Sequence, residues 1–477
     1  MPYERYTSPF EARYASAQMQ YIFSAQNKFG TWRRLWVALA RAEKDAGLNI
    51  TDEQIAQMEA HVEDINYAAA EAREREVRHD VMAHVYAYGL QCPAAAGIIH
   101  LGATSCYVGD NTDILVMKAA LLLVRQKLLG AMALLAGFAR QYKAMPALAY
   151  THLQPAQPTT VGKRAALWLH DFYLDFCEVE HRLAHLALLG SKGTTGTQAS
   201  FMQLFCGDEE KVLQVEAQIA KEMGMEKIVP VSGQTYPRKQ DYFVCTALSG
   251  IAQSASKFAN DLRILQNFKE MEEPFEEAQI GSSAMPYKRN PMRAERICAL
   301  SRYIITTSQN PAFTAVGQWF ERTLDDSANR RIAVAESFLA TDAVLDLVLN
   351  VCNGLVVYPK VVAARLAAEL PFMATENILM QAVQAGGNRQ ALHERLRTHS
   401  QAAARVVKEE GEPNDLLMRI AADDAFGLAL PQLQAQLAPE KYIGRAPQQV
   451  EDYLRDVIDP VLAANEKDIV PPPKLNV

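Results

Sequence analysis

The chain has 477 residues, of which 49% are hydrophobic and 22% charged, and its formal net charge is −7. This composition is that of a soluble globular protein with room for two or three domains. The mild acidity argues against nucleic acid as the main partner. The longest uninterrupted apolar run, residues 128–139, is too short to span a bilayer, which argues against a membrane protein.

The cysteines and the polar N-terminus indicate the compartment. The start of the chain shows no secretory signal pattern. The seven cysteines are widely scattered and contain no Cys-x-x-Cys pair, which disfavours a zinc site and a disulfide framework. We therefore expect the protein in a reducing cytoplasm.

The first hundred residues predict short helices and loops. Residues 32–46 have the apolar spacing of an amphipathic helix, and Thr51-Asp52-Glu53-Gln54 is typical of a helix start. The segment Arg78-His79-Asp80 then stands ahead of the apolar pair Val81-Met82. Three successive polar residues do not share one helix face, so the segment is either a solvated turn or helix terminus, or a binding segment.

A stretch rich in glycine and hydroxyl groups follows, His100-Leu101-Gly102-Ala103-Thr104-Ser105. It precedes a helix that we predict to begin near Asp110. Thr104 and Ser105 are therefore candidates for helix caps or for carboxylate ligands.

Long helices dominate the centre of the chain. Four long intervals contain no proline: residues 110–142, 159–229, 238–273 and 312–358. In residues 239–273 the apolar positions recur every three or four residues, which predicts a helix on the order of 50 Å long. In the absence of an alternating strand pattern, such helices predict an all-α fold built around a bundle. Their length predicts burial against other subunits.

Two proline-containing stretches between helices carry candidate functional side chains. We predict that the prolines keep residues 151–160 irregular. His152 in this stretch is either suited to proton transfer, because its free pKa lies near neutrality, or is a loop histidine bound to backbone. Gln234, in the loop of residues 232–238, is either a substrate contact or a turn residue.

Residues 319–331 are dense in polar groups. If a helix begins at Ser327, then Ser327 and Arg331 share a face at i, i+4. Together with Arg322 they form a candidate phosphate clamp. The alternative is that these arginines pair with neighbouring carboxylates on a solvated face: Asp325, Asp326 and Glu336.

The segment Gly281-Ser282-Ser283-Ala284-Met285-Pro286-Tyr287-Lys288-Arg289-Asn290-Pro291 follows the acidic run of residues 270–277. Small residues allow backbone movement and close approach of an anion, and Lys288 and Arg289 are suited to hold a carboxylate. Ser282 or Ser283 is a candidate reacting group only if its hydroxyl is activated. The chain has no phosphate-binding Gly-rich loop, dinucleotide fingerprint or Gly-x-Ser-x-Gly elbow, which disfavours the corresponding chemistries.

The segment 281–291 resembles the signature of the fumarase/aspartase superfamily. Together with Thr151-His152-Leu153-Gln154-Pro155-Ala156-Gln157-Pro158 and Glu321-Arg322-Thr323-Leu324-Asp325-Asp326-Ser327, it is similar to the adenylosuccinate lyase family, and within it to the group containing the vertebrate enzymes. The resemblance extends from about Arg13 into the C-terminal part, for instance residues 369–377.

The resemblance implies three all-α domains. We place them at residues 1–104, an N-terminal helical domain; 105–357, a long-helix bundle with the signature segment 281–291; and 358–477, a C-terminal helical domain. It also implies a homotetramer with a shared helical core, active sites assembled from three chains, and no metal or organic cofactor.

The activity implied is release of fumarate by C–N cleavage, from adenylosuccinate to give AMP and from SAICAR to give AICAR. By resemblance Ser282 is the general base, on a mobile loop, and His152 the general acid, with His79 as the rival acid. Lys288, assisted by Asn290, stabilises the charged intermediate. The implied substrate contacts are Arg78 and Asp80 for the nucleotide, Thr104, Ser105 and Gln234 for the succinyl group, and Arg13, Tyr14, Arg322, Ser327 and Arg331 for the phosphate and nucleotide, with Arg296 close by.

Two other functions compete with this interpretation. One is another fumarate-releasing lyase, such as argininosuccinate lyase. The other is a non-catalytic structural relative of the crystallin type. The presence of Ser282, His152 and Lys288 together argues against the structural role.

Overall fold

The computed structural model describes residues 4–276, 279–281 and 283–475. In its N-terminal part the helices are α1 (Ala17–Ile22), α2 (Ala25–Asp45), α3 (Asp52–Ala60), α4 (Tyr67–Val77) and α5 (Asp80–Gln91). The predicted helix start at residue 51 is confirmed, because the Thr51 side chain accepts from the Gln54 backbone in a capping box. The helix predicted for residues 32–46 is also present, but it begins earlier, where Ser24 caps α2.

The central part contains the long helices. They are α6 (Ser105–Gln141), α7 (Val161–His185), α8 (Ala199–Leu204), α9 (Glu209–Glu222), α10 (Lys239–Asn267), α11 (Met292–Thr307), α12 (Asn310–Val316) and α13 (Asp326–Asn353). The bundle is thus confirmed, and α6, α7, α10, α11 and α13 pack against one another.

Two predicted helix boundaries are wrong. α6 begins at Ser105 rather than near Asp110, because Thr104 is the last residue with an extended backbone and Asp110 already lies within the helix. α10 ends at Asn267 rather than Glu273, because Lys269 takes a left-handed backbone conformation with φ 61°. Its 29 residues correspond to about 44 Å.

The prediction that residues 151–160 are irregular is also wrong. Strands β1 (Pro146–Thr151) and β2 (Gln154–Thr160) form an antiparallel hairpin in which Tyr150 pairs with Pro155. A two-stranded ribbon has two open edges, so a proline without an N–H fits there. Met271–Glu272 (β3) and Val356–Val357 (β4) form a second small ribbon.

The C-terminal part returns to shorter helices. These are α14 (Pro359–Met373), α15 (Thr375–Gln384), α16 (Arg389–Arg405), α17 (Leu416–Ala421), α18 (Leu430–Gln434), α19 (Ala446–Tyr453) and α20 (Asp459–Ala464). Single π-helical or 3-10 turns lie at Phe10–Tyr14, Val406–Glu410, Asp424–Phe426, Ala435–Leu437, Pro439–Lys441, Leu454–Ile458 and Glu466–Asp468.

Three large clusters of buried apolar side chains hold these helices together. The first lies between the long helices and includes Phe172, Phe258 and Phe338. The second surrounds Trp36 in the N-terminal part and continues through residues of α6, α8 and α9. The third lies among the C-terminal helices around Phe426. The second cluster draws on both sides of residue 104, and the boundaries 1–104, 105–357 and 358–477 stay a prediction.

Helix α6 is long and apolar enough to cross a membrane by length and composition alone. Of its most apolar window, 67% is buried inside the protein. The core helices of soluble proteins pass the same test, so this property carries little weight.

Gly162 at the start of α7 allows α7 to lie close to the end of α6, since a Cβ there would clash with the backbone of Ala139 and Lys143.

Candidate active site

A cavity of about 760 Å³ opens between α2, the α4–α5 junction, α6 and α13. Eight of the residues predicted from the sequence line it: Arg78, His79, Asp80, Ser105, Gln234, Arg322, Ser327 and Arg331. They come from segments far apart in the chain, which the fold brings together at this cavity.

His79 is fixed by a sharp junction between two helices. Arg78 ends α4 in the left-handed region, with φ 55°, and His79 then caps the N-terminus of α5. Its Nδ1 accepts the backbone N–H of Met82 at 3.3 Å. The proton of the neutral ring is therefore on Nε2, which donates to Ser105 Oγ at 3.2 Å. The predicted helix terminus is confirmed, and the same residues line the cavity.

The start of α6 leaves hydroxyl groups available for a ligand. Thr104 occupies the N-cap position, but within the described part of the chain its side chain makes no capping hydrogen bond. The prediction that Thr104 caps the helix through its side chain is therefore wrong. Ser105, the first helical residue, lines the cavity and contacts His79.

Buried ion pairs below the cavity join three long helices. Arg238, immediately before α10, donates to both oxygens of Asp110 at 2.9 and 3.1 Å, and its Nε donates to Asp326 at 2.6 Å. All three residues are buried. Burial by itself lowers the pKa of Arg238, but the charge and hydrogen bond of Asp110, together with Tyr236, outweigh it and hold the pKa above its ordinary value. The network therefore places buried arginine–carboxylate pairs at the base of the cavity.

The cavity arginines differ in how firmly they are held. Arg322 donates to the buried carboxylate of Asp326 at 3.0 and 3.1 Å. The alternative is thus confirmed for Arg322 in its pairing with Asp326, but its solvated face is wrong, because Asp326 is 1% exposed. Arg331 donates to Asp80 at 3.4 Å from a side chain that is 64% exposed. α13 begins at Asp326, so Ser327 and Arg331 share its face as predicted.

The loop that carries Gln234 is held by backbone contacts. The Gln234 N–H donates to the carbonyl of Glu321 at 2.9 Å. A Cβ on Gly233 would clash with that same carbonyl, so glycine is required for this close approach. Cys106 donates to Gln234 Oε1 at 3.7 Å. These contacts present the Gln234 amide at the cavity beside Ser105.

Sequence reasoning missed Lys28, which lines the same cavity from α2. Its ammonium lies 5.2 Å from the Phe29 ring centroid and 5.1 Å from that of Trp32. Burial, reinforced by the like charge of Arg331, lowers the pKa of Lys28. Lysine on an amphipathic helix is ordinarily solvated. The run Lys28-Phe29-Gly30-Thr31-Trp32, a cation among aromatic residues, was the available signal.

Arg13, Tyr14 and Arg296 line a different cavity, of about 210 Å³. The Arg296 guanidinium lies 5.7 Å from the Tyr14 ring centroid. Residues 473–475 near the C-terminus close the same cavity. In one chain these predicted contacts are therefore separate from the larger cavity.

His152 lies at the tip of the β1–β2 hairpin. His152 and Leu153 both take left-handed conformations, with φ 54° and 56°, in a two-residue turn that glycine or asparagine normally favours. Leu153 is 60% exposed. His152 lines neither the cavity of about 760 Å³ nor that of about 210 Å³.

The described residues of the signature segment line neither of these two cavities. Asn290 donates to the carbonyl of Gly281 at 2.7 Å, and Arg289 lies 3.4 Å from Glu272. The exposed Lys288 donates its backbone N–H to Met285 at 3.0 Å. Ser282, the predicted base, lies outside the described residues. In the part of the chain that the structure describes, no three His, Cys, Asp or Glu side chains form a group that fits a metal ion.

The fold is shared with solved structures of low sequence identity. The 3-carboxy-cis,cis-muconate lactonizing enzyme from Pseudomonas putida matches with a TM-score of 0.81 at 22% identity, over 94% of this chain and 98% of that chain. A fumarate lyase from Mesorhizobium sp. BNC1 matches with a TM-score of 0.79 at 22% identity, over 94% and 99%. The family model described as "Lyase" matches residues 10–305. The chain is thus a lyase with the fold of the fumarase/aspartase superfamily.

The remaining comparisons narrow the class. The model "Adenylosuccinate lyase C-terminus" matches residues 371–453. Adenylosuccinate lyase of Saccharomyces cerevisiae is 51% identical over 98% of this chain and 97% of its own length. The enzyme of Schistosoma mansoni is 47% identical over 96% of both. The chain belongs to the adenylosuccinate lyase family. The predicted closeness to the vertebrate group stays a prediction.

Proposed function

We propose that the chain cleaves the C–N bond of adenylosuccinate to give AMP and fumarate, and the equivalent bond of SAICAR to give AICAR and fumarate. The observation that carries the proposal is the cavity of about 760 Å³ in which the His79–Ser105 pair meets Arg78, Arg322 and Arg331. A cavity of this size accommodates a nucleotide. Its cations and neutral donors match a substrate with one phosphate and two carboxylates.

The reaction requires three groups. A base removes the proton from the carbon beside a carboxylate, cations stabilise the resulting aci-carboxylate, and an acid protonates the departing nitrogen. We assign the base to Ser282, the acid to His152, and the stabilising charge to Lys288 with Asn290. These assignments rest on the family resemblance of the segments 281–291 and 151–158. We assign the activation of the Ser282 hydroxyl to the charge of Lys288 and to nearby backbone N–H groups.

His79 is the rival acid. Its Nε2 carries the proton of the neutral ring, and the ring faces Ser105 at the cavity. We assign it to substrate binding in the first instance, with Arg78 and Asp80 beside it. The same hydrogen bond makes it a proton donor within reach of a bound substrate, so the two histidines are to be separated by mutation.

We further propose a homotetramer in which each active site combines residues of three chains. In one chain, neither His152 nor the described residues of the segment 281–291 line the Arg13 cavity or the large cavity, and these two cavities are separate. Exposed large apolar side chains lie beside the polar residues of 319–331 and support burial by another subunit. They are Phe313, Val316, Trp319, Phe320 and Leu324, of which Phe320 is fully exposed.

We propose that the enzyme acts in the cytoplasm on these small molecules. All seven cysteines are free thiols, two of them exposed, which suits a reducing compartment. Fractionation of cells with an antibody against the chain tests this location. Recovery of the protein from a secreted or membrane fraction would contradict it.

The activity is tested by following purine absorbance with adenylosuccinate and by fumarate release from SAICAR. The matched control is Ser282→Ala, which keeps the assembly and removes the proposed base. Argininosuccinate tests the rival lyase. Fumarate release from argininosuccinate, with none from adenylosuccinate, would replace the proposal by the rival. A folded wild-type oligomer inactive on every substrate would favour the crystallin-like role.

A further inference from the structure

We propose that Lys28 binds the phosphate group of the substrate, from the α2 side of the large cavity and beside Arg331. This inference rests on the proposed function and adds to it a residue outside the signature motifs. It is carried by an unpaired cation, an unpaired donor next to it, and the distribution of charge around both.

Lys28 is a cation without a counterion. In the part of the chain that the structure describes, its ammonium has no hydrogen bond and no ion pair, and it lies against the rings of Phe29 and Trp32. Two other lysines differ. Lys44 on the same helix bonds to Asp52 at the surface, and the buried Lys127 bonds to Asp342 and lies 2.6 Å from Asp346. Lys28 is half-buried in the cavity wall, where an ammonium is normally paired, so the missing partner of Lys28 points to a ligand.

Trp32 supplies a second unpaired donor in the same wall. Its side chain lines the cavity and is 2% exposed, yet its Nε1 has no acceptor among the described residues. Buried N–H groups are nearly always hydrogen-bonded in folded proteins. An ammonium and an indole N–H within one wall, both without acceptors, indicate a ligand rich in acceptor atoms.

The neighbouring charges favour an anion with more than one negative charge. Arg331 is near enough to lower the pKa of Lys28 after the larger effect of burial, whereas Asp80, Asp113 and Glu74 raise it. Asp80 already lies 3.4 Å from Arg331, and Asp113 lies 3.0 Å from Arg330. Glu74 lines the same cavity. Two cations in one cavity, where arginines already engage Asp80 and Asp113, are better matched by a phosphate dianion than by one carboxylate.

The positions of the neutral donors indicate that the phosphate binds at the end of the cavity formed by Lys28 and Arg331. The neutral donors Ser105 and Gln234 lie at the start of α6 and in the adjoining loop, where His79 contacts Ser105. Neutral donors of this kind suit carboxylates. Lys28 and Arg331, with Ser327 on the same face as Arg331, form the cationic end.

The test compares AMP with adenosine, which differ by the phosphate alone. Calorimetry gives the dissociation constant of each for the wild-type oligomer and for Lys28→Met, Lys28→Arg and Lys44→Met. We expect Lys28→Met to weaken AMP roughly 10- to 100-fold, the range of a charge-assisted hydrogen bond, and to leave adenosine unchanged. Lys28→Arg should restore most of the AMP affinity, and Lys44→Met should bind as wild type.

Three results would overturn the inference: unchanged AMP binding by Lys28→Met, equal weakening of AMP and adenosine, or a wild type that binds AMP no better than adenosine. A merely structural lysine would also lower the melting temperature when replaced, whereas an unpaired, desolvated ammonium should not. Turnover of adenylosuccinate by the wild type is measured separately. Its absence would contradict the proposed function, while normal turnover with unaltered AMP binding by Lys28→Met would contradict the role of Lys28 alone.

Discussion

The Nε of Arg238 lies 2.6 Å from Oδ2 of Asp326, and both side chains are almost completely buried. Arg238 precedes α10 and Asp326 begins α13, so this pair sets how the two helices start relative to each other. The second arm of Arg238 reaches Asp110 on α6. The walls of the large cavity are therefore aligned by one guanidinium.

We predict that Arg238→Met destabilises the fold by about 3 to 5 kcal/mol, because it leaves the buried Asp110 without its arginine and removes one of the two arginines bonded to Asp326. Arg238→Lys should recover little, since an ammonium does not reproduce the forked contacts. Urea unfolding of the protein measures the change. Arg397→Met, which breaks the surface pair with Glu394, is the matched control and should change stability by less than about 1 kcal/mol. Equal effects of the two changes would contradict the structural role of Arg238.

The two roles of His79 are separable by substitution. Asparagine accepts the Met82 N–H as well as histidine does, but it lacks the Nε2 donor that reaches Ser105. We expect His79→Asn to keep the melting temperature and to lower kcat/KM about 100-fold or more. His79→Ala should lose activity and also about 1 kcal/mol of stability through the lost cap. Full activity of His79→Asn would restrict His79 to capping.

The fold was largely predictable because long helices leave a strong periodic signal. The apolar spacing of residues 239–273 predicted α10 to within about two turns at its C-terminus. The hairpin of 146–160 was not predictable in the same way. In the sequence its prolines predict an interruption of regular structure. The strands tolerate them because both edges of the ribbon are open, which is a property of the folded chain and not of the local sequence.

The lining of the large cavity was also predictable only in part. The resemblance named Arg78, His79 and Ser105, which converge on it. Lys28 and Arg238 could not be identified from the sequence. The partners of Arg238 lie far along the chain, and Lys28 is notable because it has no ion-pair partner among the described residues. The left-handed turn at His152 was also hidden, since no glycine or asparagine marks it. Local patterns find helices, whereas the electrostatic partners of a side chain become visible only in three dimensions.

Mixing of inactive variants tests the shared active site. We expect Ser282→Ala and His152→Gln each to lose turnover by several orders of magnitude while remaining assembled. When the two are unfolded and refolded together, some sites receive both intact residues, and activity should return to a sizeable fraction of wild type. Ser283→Ala is the control for the base and should retain turnover. Refolded mixtures that stay inactive would contradict a site built from several chains.

Glu43 gives a prediction about pH. It is fully buried on α2, both of its oxygens lack a hydrogen-bond partner among the described residues, and burial raises its pKa to about 8. In the unfolded chain it ionises near pH 4.5, the value for an unperturbed glutamate. Between these values the folded state binds the extra proton, so the stability contributed by Glu43 is full below pH 4.5 and is lost as pH rises towards 8.

Glu43→Gln should therefore match wild type near pH 4.5 and become more stable than wild type as pH rises, by roughly 2 to 4 kcal/mol at pH 8 and above. Urea unfolding at a series of pH values measures the difference. Glu71→Gln, at an exposed position of α4, is the matched control and should show no such pH-dependent gain. A constant difference between Glu43→Gln and wild type from pH 5 to 8 would mean that Glu43 finds a counterion in the assembled protein, since pairing would remove the cost of its ionisation.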